Sequence, residues 1–187
     1  MKRTVLVDDF GDPVNRRVGN SILELHRDLG VEVFARDVIT GGIDDIAGSF
    51  DVVSSFDSLE HWHHSPKGLL RAAVGKLKTG GRVIIGVPNC VNLRKRVSVP
   101  LGKGKWSAME DWYESEIFRG HVREPDVADL RYIARDLNLN GVRIYGRNWR
   151  GYSSGNPLIR LVTGIIDYPL RARPSLCSDI YLQGVKH

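Results

Sequence analysis

The stretch FDVVSSFDSLEHWHHSPKGLLRAAVGKLKTGGRVIIGVPN, residues 50–89, reads as a strand, a helix and a second strand. FDVVSSF (50–56) is apolar and β-branched and runs into a turn holding Asp57, Glu60 and His61. Ser65 is placed to cap a helix with Pro66 in its first turn. Leu69, Leu70, Ala73, Val74 and Leu77 recur at helical spacing, and Gly80 with Gly81 is expected to end that helix. RVIIGVPN (82–89) is almost wholly apolar, as a strand covered on both faces of a parallel sheet must be. Strand, crossover helix and parallel strand make a βαβ unit.

The same alternation extends in both directions. TVLV (4–7) is a strand ending at Asp8, SILELHRDLG (21–30) a helix stopped by Gly30, and VEVFARDV (31–38) an alternating strand that carries Asp37. GGIDDIAGS is a loop or brief helical turn. Downstream, 90–120 is a basic, aromatic-bearing insertion or lid with a short helix expected near 107–118. Pro125 opens a helix with Val127, Leu130, Ala134 and Leu137 on one face, and strands are expected at 142–149 and 178–186. A chain of 187 residues with 42% apolar content supports one core, so a single domain over 1–187 is expected.

Composition excludes several classes. The apolar start is too short for a signal-peptide core, and NPLIRLVTGIIDYPL (156–170) is too short and too charged to span a bilayer, fit at most to lie on its surface. Cys90 and Cys177 are far apart with no metal-type spacing, which fits two structural thiols in a cytoplasmic protein. The net charge of +5 concentrates at 94–96, 102–105 and Arg143, Arg147 and Arg150. That is either a solvated face or a surface for an anionic partner: a phosphorylated substrate, an acidic membrane or nucleic acid. No motif accompanies the charges to favour nucleic acid.

Taken together, FDVVSSFDSLEHW, LLRAAVGKLKTGGRVIIGVPN and HVREPDVADLRYIARDLNLNGVRIYGRN resemble the second half of a class I S-adenosylmethionine-dependent methyltransferase, over roughly 30–150. The branch is the small-molecule one with FDVV...LEH and LKxGG...PN signatures. The resemblance implies an α/β fold: a Rossmann-like, mostly parallel sheet with an antiparallel last strand and the cofactor across the carboxyl ends of the strands. It also implies a glycine-rich loop after the first strand, which this chain does not show, so the first strand is expected to be missing or replaced. TVLV taking the vacant slot, a homodimer or partner chain completing the sheet, or a longer natural protein would each account for this. S-adenosylmethionine is the implied cofactor, with binding weakened by the altered loop.

Asp8, Asp37, Val38, Ser55 and Phe56 form the expected cofactor set, the two acids because a carboxylate at a strand end can accept ribose hydroxyls or an exocyclic amine. The bland alternative for such acids is capping of a nearby backbone amide. Asp57, Glu60, His61 and Trp106 are candidates for substrate contact or a metal, and no divalent metal is expected as a resident cofactor. His121 and His61 are the candidate catalytic bases, His121 because the family commonly has a histidine there near the acceptor. The expected reaction is methyl transfer to a small or cell-envelope-related acceptor hydroxyl; a noncatalytic scaffold that kept the fold is the alternative.

Overall fold

The computed structural model describes residues 3–10, 21–103, 107 and 109–187. The chain divides into two compact units, Met1–Ala47 and Gly48–His187.

In the first unit, β1 (Thr4–Asp8) pairs in parallel with β2 (Val31–Ala35), Thr4 opposite Val31 and Asp8 opposite Ala35. Helix α1 (Ser21–Asp28) connects them, and Gly30, at φ +75°, makes the left-handed step that turns the chain back into β2. The second strand is shorter than its alternation suggests. Asp37 leaves the ladder and caps α2 (Val38–Gly41), its side chain accepting from the Ile39 amide at 2.8 Å.

The second unit is a four-stranded sheet in the order β3-β4-β6-β5. β3 (Phe50–Phe56) and β4 (Leu77–Pro88) are parallel; β6 (Asp179–Lys186) runs antiparallel to both β4 and β5 (Leu139–Arg147). The expected mixed α/β architecture with an antiparallel final strand is therefore present. Helix α3 (Lys67–Gly75) is the crossover between β3 and β4, and it ends five residues before the expected glycine stop. Leu77–Gly81 belongs to β4, and Gly80, at φ +75°, sits where the β3–β4 register shifts between Phe50 and Val52. Pairing with β3 thus absorbs as a bulge what the local sequence presents as a turn.

Two more short helices, α4 (Leu93–Ser98) and α5 (Met109–Tyr113), occupy the segment read as an insertion. Helix α6 (Val127–Asp136) starts at a capping box: the Asp126 carboxylate accepts from Ala128 and Asp129 amides, and Asp129 reaches back to the Asp126 amide. Its Leu130 and Ala134 bury against Val83, Ile85, Ile180 and Leu182 of the sheet, forming the core. β5 starts and ends earlier than read, so that Trp149 opens α7 (Trp149–Tyr152), and 156–170 forms most of α8 (Pro157–Arg171).

Candidate active site

A cleft of about 500 Å³ lies at the carboxyl ends of β3 and β4, lined by Phe56, Asp57, Glu60, His61, His121 and Tyr181 among others. Crevices at such strand ends are where open α/β sheets bind ligands. Its floor is set by one cross-strand row, in which Phe56 is opposite Gly86 and Gly86 opposite Tyr181. A Cβ on Gly86 would stand 2.6 Å from the Tyr181 ring and 2.7 Å from that of Phe56, so only glycine admits both rings. Their centroids are 6.1 Å apart, and the Tyr181 hydroxyl is fixed by a 2.9 Å hydrogen bond donated by the Trp149 indole.

β3 ends because Asp57 turns the chain at φ +45°, its amide still donating to the Gly86 carbonyl at 3.0 Å. A positive φ at a non-glycine residue stores strain of the kind concentrated at ligand sites. The 3₁₀ turn Leu59–His61 follows, with Leu59 in the core and Glu60 only 1% exposed. The Glu60 carbonyl accepts from Val122 and Arg123 amides, tying the turn to the segment that carries His121. One carboxylate oxygen of Glu60, Oε2, is buried with no hydrogen-bond partner. Burial therefore raises its pKa to about 7; the nearby Asp57 and Glu124 charges add to the rise, and its own backbone amide and His121 oppose it.

His61 donates from Nδ1 to the Arg119 carbonyl at 2.7 Å, because a carbonyl can only accept. Its ring meets that of His121 edge-on, centroids 4.8 Å apart. His121 in turn holds Glu124 through Nδ1 at 2.7 Å, and Glu124 accepts from Lys95 through its other oxygen. Burial would push the Glu124 carboxyl up, but the hydrogen bonds from His121 and Lys95 outweigh it and hold the group below the usual carboxylate range. An ionised Glu124 requires a proton on His121 Nδ1 and leaves Nε2 as the acceptor.

Lys95 is placed by the residues after β4. Asn89, fully buried, donates to the Ser175 and Cys177 carbonyls and accepts from the Val91 amide; Asn92 donates to the Asn89 carbonyl and caps α4 at Lys95. The PN signature thus fixes the far end of the Lys95–Glu124–His121 chain.

Of the predicted site residues, Phe56, Asp57, Glu60, His61 and His121 come together at this cleft. Ser55 stands one position earlier on β3. Asp8 and Asp37 belong to the first unit. Asp8 accepts from the Phe10 amide at 2.6 Å, Asp37 from Ile39 and Thr40, both in the capping manner weighed from sequence, and Val38 begins α2. Trp106 lies outside the described residues, as does most of the 10–19 loop. Glu124, Lys95, Trp149 and Tyr181 were missed. The HVRE spacing alone could have pointed to Glu124. Single donor atoms of Glu60, His61 and His121 lie within 4.8 Å of one another, so these three are the described residues able to approach one cation.

A family model for the methyltransferase domain matches residues 10–144. The chain belongs to that family. Solved structures similar to it include the S-adenosylmethionine-dependent methyltransferase SibL in its apo form (19% identity, TM-score 0.52) and an S-adenosylmethionine-dependent methyltransferase from Archaeoglobus fulgidus (17%, 0.53). Another is Haemonchus contortus phosphoethanolamine N-methyltransferase 2 in complex with S-adenosyl-L-methionine (16%, 0.50). The matches cover 98%, 98% and 100% of this chain but 43%, 86% and 49% of those chains, so it spans less than half of SibL. At these identities the likeness is one of fold. No curated protein matches by sequence. The family match makes this a methyltransferase domain, and the solved structures agree with it in fold.

Proposed function

We propose that the cleft transfers a methyl group from S-adenosylmethionine to a hydroxyl of a small acceptor, with His121 as general base. The observation that carries this is the Lys95–Glu124–His121 chain, which ends at the cleft beside the unpaired Glu60 Oε2.

A volume of about 500 Å³ falls within the range of small-molecule sites, and the exposed Phe56 ring and Asp57 carboxylate at the end of β3 offer a flat apolar face and a hydrogen-bond acceptor suited to a nucleoside. When bound, S-adenosylmethionine supplies a methyl group on a positively charged sulfur, which keeps the C–S electron pair as the group leaves. His121 Nε2 takes the acceptor's hydroxyl proton as the new O–C bond forms, and the imidazolium so created is stabilised by ionised Glu124. Lys95 keeps that carboxylate charged and oriented. His61, anchored through Nδ1 on Arg119, turns Nε2 towards the acceptor as an orienting group and second base. Glu60 Oε2 marks where a polar group of the acceptor completes an unfilled hydrogen bond. A cell-envelope acceptor is supported by the basic 90–105 segment, and a single methyltransferase-like domain by a family match that runs across both units.

The test uses tritiated methyl S-adenosylmethionine against a panel of phenols and alcohols. His121→Ala is expected to retain S-adenosylhomocysteine affinity and lose label transfer by roughly 10²-fold or more. Undiminished transfer by His121→Ala would remove the assignment.

A further inference from the structure

Helix α8 is turned inside out. Its buried positions are polar, Thr163 and Asp167, one helical turn apart. Asp167 accepts from Asn148 at 2.7 Å and from Tyr152 at 2.9 Å and pairs with Arg171, while Thr163 packs on Gly151, where a Cβ would come within 2.2 Å of its hydroxyl. The opposite face carries Leu158, Leu161, Val162, Ile165 and Tyr168, which share one stripe and are between 44% and 83% exposed. A soluble surface helix has the reverse arrangement, and a contiguous apolar stripe of this kind marks an interaction surface.

The neighbouring segment has the same character. A cavity of about 370 Å³ is lined by Ile159 and Ile166 of α8 and by Asn92 and Arg94 at the start of α4, which makes the two elements neighbours. The end of α4 and the turn after it expose Val97, Val99 and Leu101. Charge around both is of one sign. Residues 154–173 hold Arg160 and Arg173 beside the Arg171–Asp167 pair, whose acid is buried; residues 91–103 hold Arg94, Arg96 and Lys103 and no acid, with Lys95 buried against Glu124. No helix among the described residues is long and apolar enough to cross a membrane.

We propose that the outer face of α8, with the adjoining α4 turn, docks on an anionic lipid surface. The aliphatic stripe enters the boundary between headgroups and acyl chains, and the flanking arginines and lysines meet lipid phosphates, the arrangement of an interfacial amphipathic helix. Asp167 serves this geometry by holding the helix through its polar side, leaving the apolar side free to face outward.

The full chain is tested by co-sedimentation with vesicles of phosphatidylcholine alone and of phosphatidylcholine mixed with phosphatidylglycerol. Partitioning is expected on the anionic vesicles, weakened by salt, and reduced about tenfold or more in Leu161→Asp/Ile165→Asp. Both positions are exposed, so circular dichroism and S-adenosylhomocysteine affinity should match the parent. Equal partitioning on neutral vesicles, no partitioning at all, or no loss in the variant overturns the proposal. So does a parent dimer in sedimentation velocity that the variant abolishes, which would make the stripe a contact between copies.

Discussion

Glu60→Gln isolates the cost of the buried carboxylate. In the folded protein Glu60 titrates near 7 against 4.5 for the free side chain, chiefly because burial penalises its charge. Between those values the folded state holds a proton that the unfolded state has released, so stability must fall as pH rises through the interval. A displacement of about 2.5 units corresponds to about 3 kcal/mol. Glutamine has the same shape and no ionisation. Urea unfolding should therefore place the variant close to the parent near pH 5 and make it the more stable protein by up to about 3 kcal/mol near pH 8. All other titrating groups are shared, so the difference between the two curves reports on this one side chain. Curves that stay parallel across the interval would show that Glu60 is solvated or paired, and would refute both the orphaned oxygen and its proposed use.

Three further outcomes follow from the same contacts. Glu124→Gln should cut methyl transfer by about 10²-fold or more by releasing the His121 tautomer, and lower stability in urea unfolding by replacing the charge-assisted bonds from Lys95 and His121 with neutral ones. Gly86→Ala drives a methyl into the Tyr181 and Phe56 rings, and should lower stability by about 1–3 kcal/mol and quench cofactor binding by reshaping the cleft floor, measured by calorimetry. Asp126→Ala removes the capping box of α6 and should cost about 1 kcal/mol with transfer rates intact.

What the sequence made legible were features with local causes. FDVVSSF is a strand to its exact ends because its β-branched valines and the Asp57 turn agree. LKTGG misled because two glycines after a helical pattern resemble a stop; only the β3 ladder, remote in sequence, extends β4 back to Leu77. The His121–Glu124 contact is local and open to a sequence reading, whereas Lys95 meets Glu124 across 29 positions and ordinary charged residues reveal no such pairing by composition. Helix α8 was illegible for a physical reason: its buried residues are polar and its apolar residues exposed, so the periodicity that marks a packed helix points the wrong way. Asp37, readable either as a strand-end acid or as a cap, accepts from the Ile39 amide once α2 forms.

The claim on which the rest depends is that the crevice at the ends of β3 and β4 is the methyl-transfer site. Titrating S-adenosylhomocysteine into the isotopically labelled chain and following its backbone amides by NMR tests this most directly. The account predicts saturable shifts concentrated at Phe56, Asp57, Glu60, His61 and His121, whereas saturation with shifts elsewhere and these five amides unmoved would contradict it.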